Sequence, residues 1–149
     1  MTPSTCWTPY AKLLSGREVW GKTPAAQFRG KVIFEDFDWD GDRQLEVPFE
    51  DLVIYEMHVR GLTMGEGSPV KRKGTFAGIV EMIPYFVELG INCIELLPVF
   101  EFDELEFSYR GEGIRNYWGY STVGFFAPKA GYAASGANGM TCDEFKKRA

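Results

Sequence analysis

Between residues 51 and 99 the hydrophobic pattern changes period twice. Asp51–Arg60, DLVIYEMHVR, is dense in Val, Ile and Tyr and reads as a β-strand. A polar loop follows, with Gly65, Gly67, Ser68 and Pro69. In TFAGIVEMIPYFVELG, Phe76, Ile79, Val80, Ile83 and Val87 then recur at helical spacing. Thr75 can accept from the first free N–H groups as N-cap. Gly90 stands where a helix ends in the left-handed conformation. Pro84 removes one backbone hydrogen bond and is expected to kink the helix toward its last turn. Ile91–Val99, INCIELLPV, is almost wholly apolar, the pattern of a strand covered on both faces. Strand, helix, strand in about fifty residues is a βαβ unit with parallel strands.

The flanks are less regular. Prolines at 3, 9, 24 and 48 punctuate the first fifty residues. Phe34–Asp42, FEDFDWDGD, alternates rings with acids and closes on an Asp-Gly turn signal. Its acids lack the ligand spacing and terminal glutamate of an EF-hand loop, so a surface turn over packed rings is preferred to a calcium site. After Pro98 a loop of about forty residues is expected, long enough to be functional. It contains NYWGYSTVGFFAPKAGYAA, Asn116–Ala134, in which Tyr117, Trp118 and Tyr120 cluster about Gly119. Rings placed side by side fit neither the strand nor the helix period. They suggest a turn that aims rings into a cavity. At the end of the sequence, Thr141 and Glu144 have capping-box spacing at the start of a helix. The sequence stops about two turns later, which reads as a fragment of something larger.

Composition narrows the classes. Of the 149 residues 45% are hydrophobic and 25% charged, as in a globular protein with a core. A formal net charge of −5 argues against nucleic acid as partner. The basic runs Lys71–Lys73 and Lys146–Arg148 are short and read as solvated surface. Three cysteines at wide spacing fit neither a disulfide framework nor a zinc site. No apolar stretch reaches the ~20 residues that cross a bilayer, so no membrane partner is expected. The first residues lack the apolar centre of a signal peptide and the Arg-rich character of a transit peptide.

Four stretches in order, PYAKLLSGREVWG, DLVIYEMHVRG, GTFAGIVEMIPYFVELGINCIELLPVFEFDELEF and NYWGYSTVGFFAPKAGYA, resemble the isoamylase-type starch debranching enzymes of the α-amylase superfamily. The resemblance covers nearly the whole chain from Pro9. It implies an α/β fold, a partial (β/α)8 barrel: residues 51–60 as strand one, 75–89 as helix one, 91–97 as strand two. Residues 1–50 would be the linker or tail of an N-terminal β-sandwich glucan-binding domain, and 51–149 the start of the catalytic domain. The long loop would then lie at the C-terminal face, where barrels build their sites. The resemblance also implies Tyr120 as the ring that stacks on a sugar, with Trp118 and Asn116 supporting the same wall. The expected partner is a branched α-glucan such as amylopectin or a glycogen-like polymer. A homo- or hetero-oligomer of isoamylase-type chains, a plastid stroma location and no cofactor are implied as well.

The same resemblance places the two carboxylates of retaining glycoside hydrolysis beyond strand two, with an Asn-His signature before them. Neither is in this sequence. No catalytic residue is therefore assigned, and the chain alone is expected to be inactive. Glu101, Asp103, Glu104 and Glu106 read as a polar loop wall. His58 could line the base of a pocket or be a hydrogen-bonded strand-end histidine. Glu56 and Arg60 would share its strand face, and Cys93 reads as an inert thiol. Two alternatives remain open, a non-catalytic glucan-binding or regulatory subunit and a related branching transferase. Two strands cannot close a barrel, so Val53, Ile54, Ile94 and Leu96 should be partly uncovered.

Overall fold

The computed structural model describes residues 8–16, 19–21, 28–34, 36–106, 114–136 and 141–147. Its centre is the expected parallel pair. Strand β3, Ile54–Met57, pairs with β4, Cys93–Leu96, in the register Ile54–Cys93 to Met57–Leu96. Asn92 fixes the start of this pairing. Its side-chain oxygen accepts from the Val53 N–H at 2.7 Å, and its amide donates to the Asp51 carbonyl at 2.8 Å.

Both strands are shorter than their apolar runs. The first stops at Met57, not Arg60, because His58 turns the chain. The His58 imidazole accepts from the N–H groups of Arg60 and Gly61 and so caps a short helix α1, Val59–Thr63. Arg60 therefore leaves the strand face it was expected to share with Glu56. The second strand is not covered on both faces: Ile94 and Glu95 are exposed, and Cys93 and Leu96 only half-buried. Val53 and Ile54 are uncovered too. Each strand is an edge of a two-stranded sheet, so apolar character outruns burial here.

The helix expected over residues 75–89 is two helices, α2 (Phe76–Glu81) and α3 (Ile83–Leu89), rather than one kinked late. Thr75 is the N-cap of α2, its hydroxyl accepting from the Gly78 N–H at 3.1 Å. The break falls at Met82, two residues before Pro84. Pro84 then sits in the first turn of α3, where its missing N–H has no helical partner to lose. Gly90 ends α3 at φ 80°, and the Ile91 N–H reaches back to the Phe86 carbonyl at 2.9 Å.

The segment after Pro98 is more ordered than a long loop. Strand β5, Phe100–Phe102, runs antiparallel to β6, Thr122–Pro128, with register shifts on both sides of Glu101. A 3-10 turn, Ala130–Tyr132, follows. Helix α4 spans Thr141–Lys146. Thr141 is already inside it rather than at the cap position expected of it.

Apolar residues from the two halves meet in one core: Met57, Val59, Phe76, Ile79, Phe86, Phe102 and Tyr132. The N-terminal segment adds β1, Leu14–Ser15, and β2, Arg29–Gly30. Ala11 and Leu14 pack on Ala127 of β6, and Trp20 packs against the main core.

Candidate functional site

The aromatic turn sits beside the end of β3, and His58 is its anchor. Nδ1 of His58 accepts two backbone N–H groups, at 3.1 and 3.0 Å, so its ring proton resides on Nε2. Nε2 donates to the Tyr117 carbonyl at 2.8 Å and lies 3.1 Å from the Tyr132 hydroxyl. The imidazole also stacks on the Tyr117 ring, 4.5 Å apart and 14° from parallel. Burial pushes the His58 pKa below its ordinary value; the Tyr117 carbonyl opposes this, and the Arg60 charge adds to it. His58 is therefore a neutral, hydrogen-bonded residue at a strand end.

Two further contacts shape the turn. The Asn116 carboxamide oxygen accepts from the Gly119 N–H at 3.0 Å, while its amide donates to Glu106 at 2.9 Å. Gly119 has φ 83°, a left-handed backbone, and lies against the Phe102 ring. Asn116 thus forms the turn from within. Trp118 and Tyr120 point outward, with 56% and 72% of their surface exposed. Tyr117 faces His58 instead.

Beneath the turn lies a stack of rings. Trp20 is parallel to Tyr132 at 5.7 Å and edge-on to both Phe102 and Tyr117. The Arg60 guanidinium stands 4.8 Å over the Trp20 ring. Burial holds the Tyr132 hydroxyl protonated far above the ordinary tyrosine range, with the neighbouring Tyr117 acting in the same direction.

At the base is an ion cluster with no solvent exposure. Lys129 Nζ donates to Glu101 at 2.7 Å, Glu104 at 2.6 Å and the Phe102 carbonyl at 2.9 Å. All three ammonium protons are used. Glu101 also accepts from the N–H groups of Phe102 and Ala130, and Glu104 from that of Gly21. Burial raises the Glu101 pKa, against the pull of Lys129. Glu101 and Glu104 are thus internal struts rather than the polar wall suggested by their sequence. The cluster joins β5, the end of β6 and the Trp20–Gly21 turn.

A separate cleft of about 550 Å3 lies between α2 and α4, lined in part by Arg72, Ser135, Glu144 and Lys147. Among the described residues no group of His, Cys, Asp and Glu is arranged to hold a metal ion. No helix is long and apolar enough to cross a membrane, among the same residues.

The sequence singled out Asn116, Trp118 and Tyr120, and the structure brings them into one turn. It did not single out Trp20, Tyr132 or Lys129. One signal was available: Lys129 is the only charged residue between Arg115 and Asp143, set in the apolar run FFAPKAGYA.

The fold and the order of these elements are similar to those of glucan-debranching glycoside hydrolases. The solved pullulanase of Anoxybacillus sp. LM18-11 superposes with a TM-score of 0.70 at 26% identity, over 93% of this chain and 20% of that one. More narrowly, the chain is homologous to a stretch of the isoamylases and their bacterial relatives. It is 45% identical to chloroplastic isoamylase 1 of Arabidopsis thaliana over 93% of its length. It is 43% identical to a glycogen debranching enzyme of Yersinia enterocolitica over 74%. The chain spans 19% and 17% of those two relatives, roughly a fifth of a whole protein. No family model matches.

Proposed function

We propose that this chain is the opening part of the catalytic barrel of an isoamylase-type debranching hydrolase, acting on α-1,6 branch links of starch-like or glycogen-like glucans. Residues 51–149 would belong to the (β/α)8 domain. Residues 1–50 would lead in from an N-terminal β-sandwich. The parallel β3–β4 pair supports this reading, joined by helices and left with an uncovered apolar groove along Ile83, Val87, Ile91 and Ile94. Further strands and helices of a barrel would cover such a groove.

The observation that carries the glucan reading is the pair of outward rings, Trp118 and Tyr120, on a turn fixed from below. A flat ring matches the C–H face of a pyranose, and a turn whose backbone is already held in place loses little freedom on binding. Tyr120 is the proposed platform, Trp118 its neighbour in the wall, and Asn116 the residue that folds the turn. A solved pullulanase of Anoxybacillus sp. LM18-11 complexed with maltotetraose supports the choice of ligand. Glu101 and Glu104 are not assigned to bond cleavage, since both are sealed against Lys129. The plastid is the proposed location, because several relatives carry a chloroplastic name. Assembly with other isoamylase-type chains is part of the same reading.

Titration with maltoheptaose tests it. Saturable binding is expected, with Tyr120→Ala weakening it about tenfold, or about 1.4 kcal/mol. The stability of this variant should match wild type, because the Tyr120 ring is mostly solvent-exposed. The chain alone should release no reducing ends from amylopectin. Absence of saturable binding would overturn the proposal.

A further inference from the structure

The aromatic turn is held from two sides, and His58 joins it at once to the end of the parallel sheet and to the first helix. The Nδ1 edge of the imidazole is committed to the start of α1, and its Nε2 edge to the Tyr117 carbonyl. That carbonyl belongs to the peptide unit leading into Trp118. Its direction sets where Trp118 and Tyr120 project.

We propose that His58 is a positioning residue for the glucan platform: its Nε2–H, oriented by the α1 cap, aims the Trp118–Tyr120 turn. This rests on the glucan-binding reading of that turn. A neutral imidazole has one N–H and one lone pair. Two backbone donors occupy the lone pair at Nδ1, which leaves the proton at Nε2 for Tyr117. A second proton at Nδ1 would point at the N–H groups of Arg60 and Gly61 and dismantle the cap. Protonation would thus leave the Nε2–H donor in place but free the ring from the cap that orients it.

The groups that surround the ring agree. Arg60 comes from α1, Tyr117 from the turn and Tyr132 from the 3-10 turn. Glu104 and Glu101 act on Tyr132, and Glu104 also on Arg60, but neither contacts the imidazole through a hydrogen bond shown by the structure. Burial and the Arg60 charge both favour the neutral ring.

His58→Asn separates the two edges. An Asn side chain is among the best N-caps and can still accept from the α1 N–H groups. It is too short to reach the Tyr117 carbonyl. The variant is expected to keep the α1 cap, to lose stability through the vacated ring contacts, and to bind maltoheptaose about fivefold more weakly, through a faster off-rate. His58→Ala, which loses both edges, should lose more stability than the asparagine variant. Wild-type affinity in the asparagine variant would overturn the proposal.

The protein contains a single histidine, so its imidazole nitrogens can be read without assignment ambiguity. In 15N-labelled wild-type protein at about pH 8, above the ordinary imidazole range, the proton is expected on Nε2 alone. A proton on Nδ1 would overturn the proposal whether or not glucan binds. If wild-type protein binds no glucan, the reading of the turn as a platform fails by itself. The positioning claim is then decided by the backbone amide shifts of residues 117–120 in His58→Asn: displaced shifts uphold it, unchanged shifts overturn it.

Discussion

The Phe102 ring occupies the place where a side chain at residue 119 would begin. A Cβ on Gly119 would lie 2.6 Å from Phe102 Cε1 and 2.7 Å from Cδ1, closer than carbon atoms approach. The backbone there is also left-handed, at φ 83°. Gly119→Ala thus meets two obstacles, strain and collision. A loss of about 2–3 kcal/mol is expected in chemical denaturation. Phe102→Leu in the same chain removes the ring and should restore part of that loss, while Phe102→Leu alone should only destabilise. Simple additivity of the two changes would show that the contact does not govern the turn.

The Lys129 ammonium holds two carboxylates away from water. Lys129→Met keeps the length of the side chain and removes its charge. Glu101 and Glu104 would then face each other's charge with only backbone N–H groups for compensation. A loss of about 3–5 kcal/mol is expected. Lys129→Met combined with Glu101→Gln and Glu104→Gln should recover a large part, since no buried charge remains. Denaturant midpoints of the single and triple variants check this. A single variant as stable as wild type would mean that the cluster contributes nothing net.

Local elements of the fold were legible because local chemistry decides them. The hydroxyl of Thr75 and the missing Cβ of Gly90 act within one turn of themselves, and both stand where the pattern puts them. The parallel strand pair also follows from its apolar runs. Strand lengths did not follow. His58 ends β3 by accepting two N–H groups, which hydrophobic periodicity cannot express. Pro84 illustrates a different limit: its geometry is equally compatible with a kink and with the first turn of a new helix, and only packing chose the latter. Tyr117, Trp118 and Gly119 announced a turn, but the supports beneath it lie far away in sequence. Trp20 comes from 97 residues before Tyr117, and Lys129 reaches back 28 residues to Glu101. Contacts of that range leave no periodic trace. The exposed Ile94 shows the reverse case, in which an apolar run expresses a covered strand that the described residues do not cover.

Glu144 provides the clearest pH-dependent contact between distant segments. Its spacing from Thr141 suggested a partner inside its own helix. Its carboxylate instead accepts from Ala77 N–H at 3.2 Å, Ala134 N–H at 2.9 Å, and the N–H and hydroxyl of Ser135 at 3.1 and 3.0 Å. Ala77 lies in the first turn of α2, so an acid from α4 sits at that helix's positive end. Burial raises the Glu144 pKa, but these hydrogen bonds outweigh it and the net shift is downward. A depressed folded-state pKa means that the unfolded chain takes up its proton first. The contribution is full above the unfolded value, near 4.5, and is lost as pH falls through the folded one. Glu101 runs the opposite way: its pKa is raised by burial, so its contribution is present below 4.5 and fades as pH rises. A wild-type stability curve would mix the two. The difference between wild type and Glu144→Gln isolates one. The substituted carboxamide would turn an N–H toward donors, so the variant should be weaker by about 1 kcal/mol at neutral pH, a modest figure because the site is partly solvated. The gap should shrink as pH drops below about 4.5. A gap that stays constant across the acid range would mean that the charge on Glu144 does not bind α4 to α2.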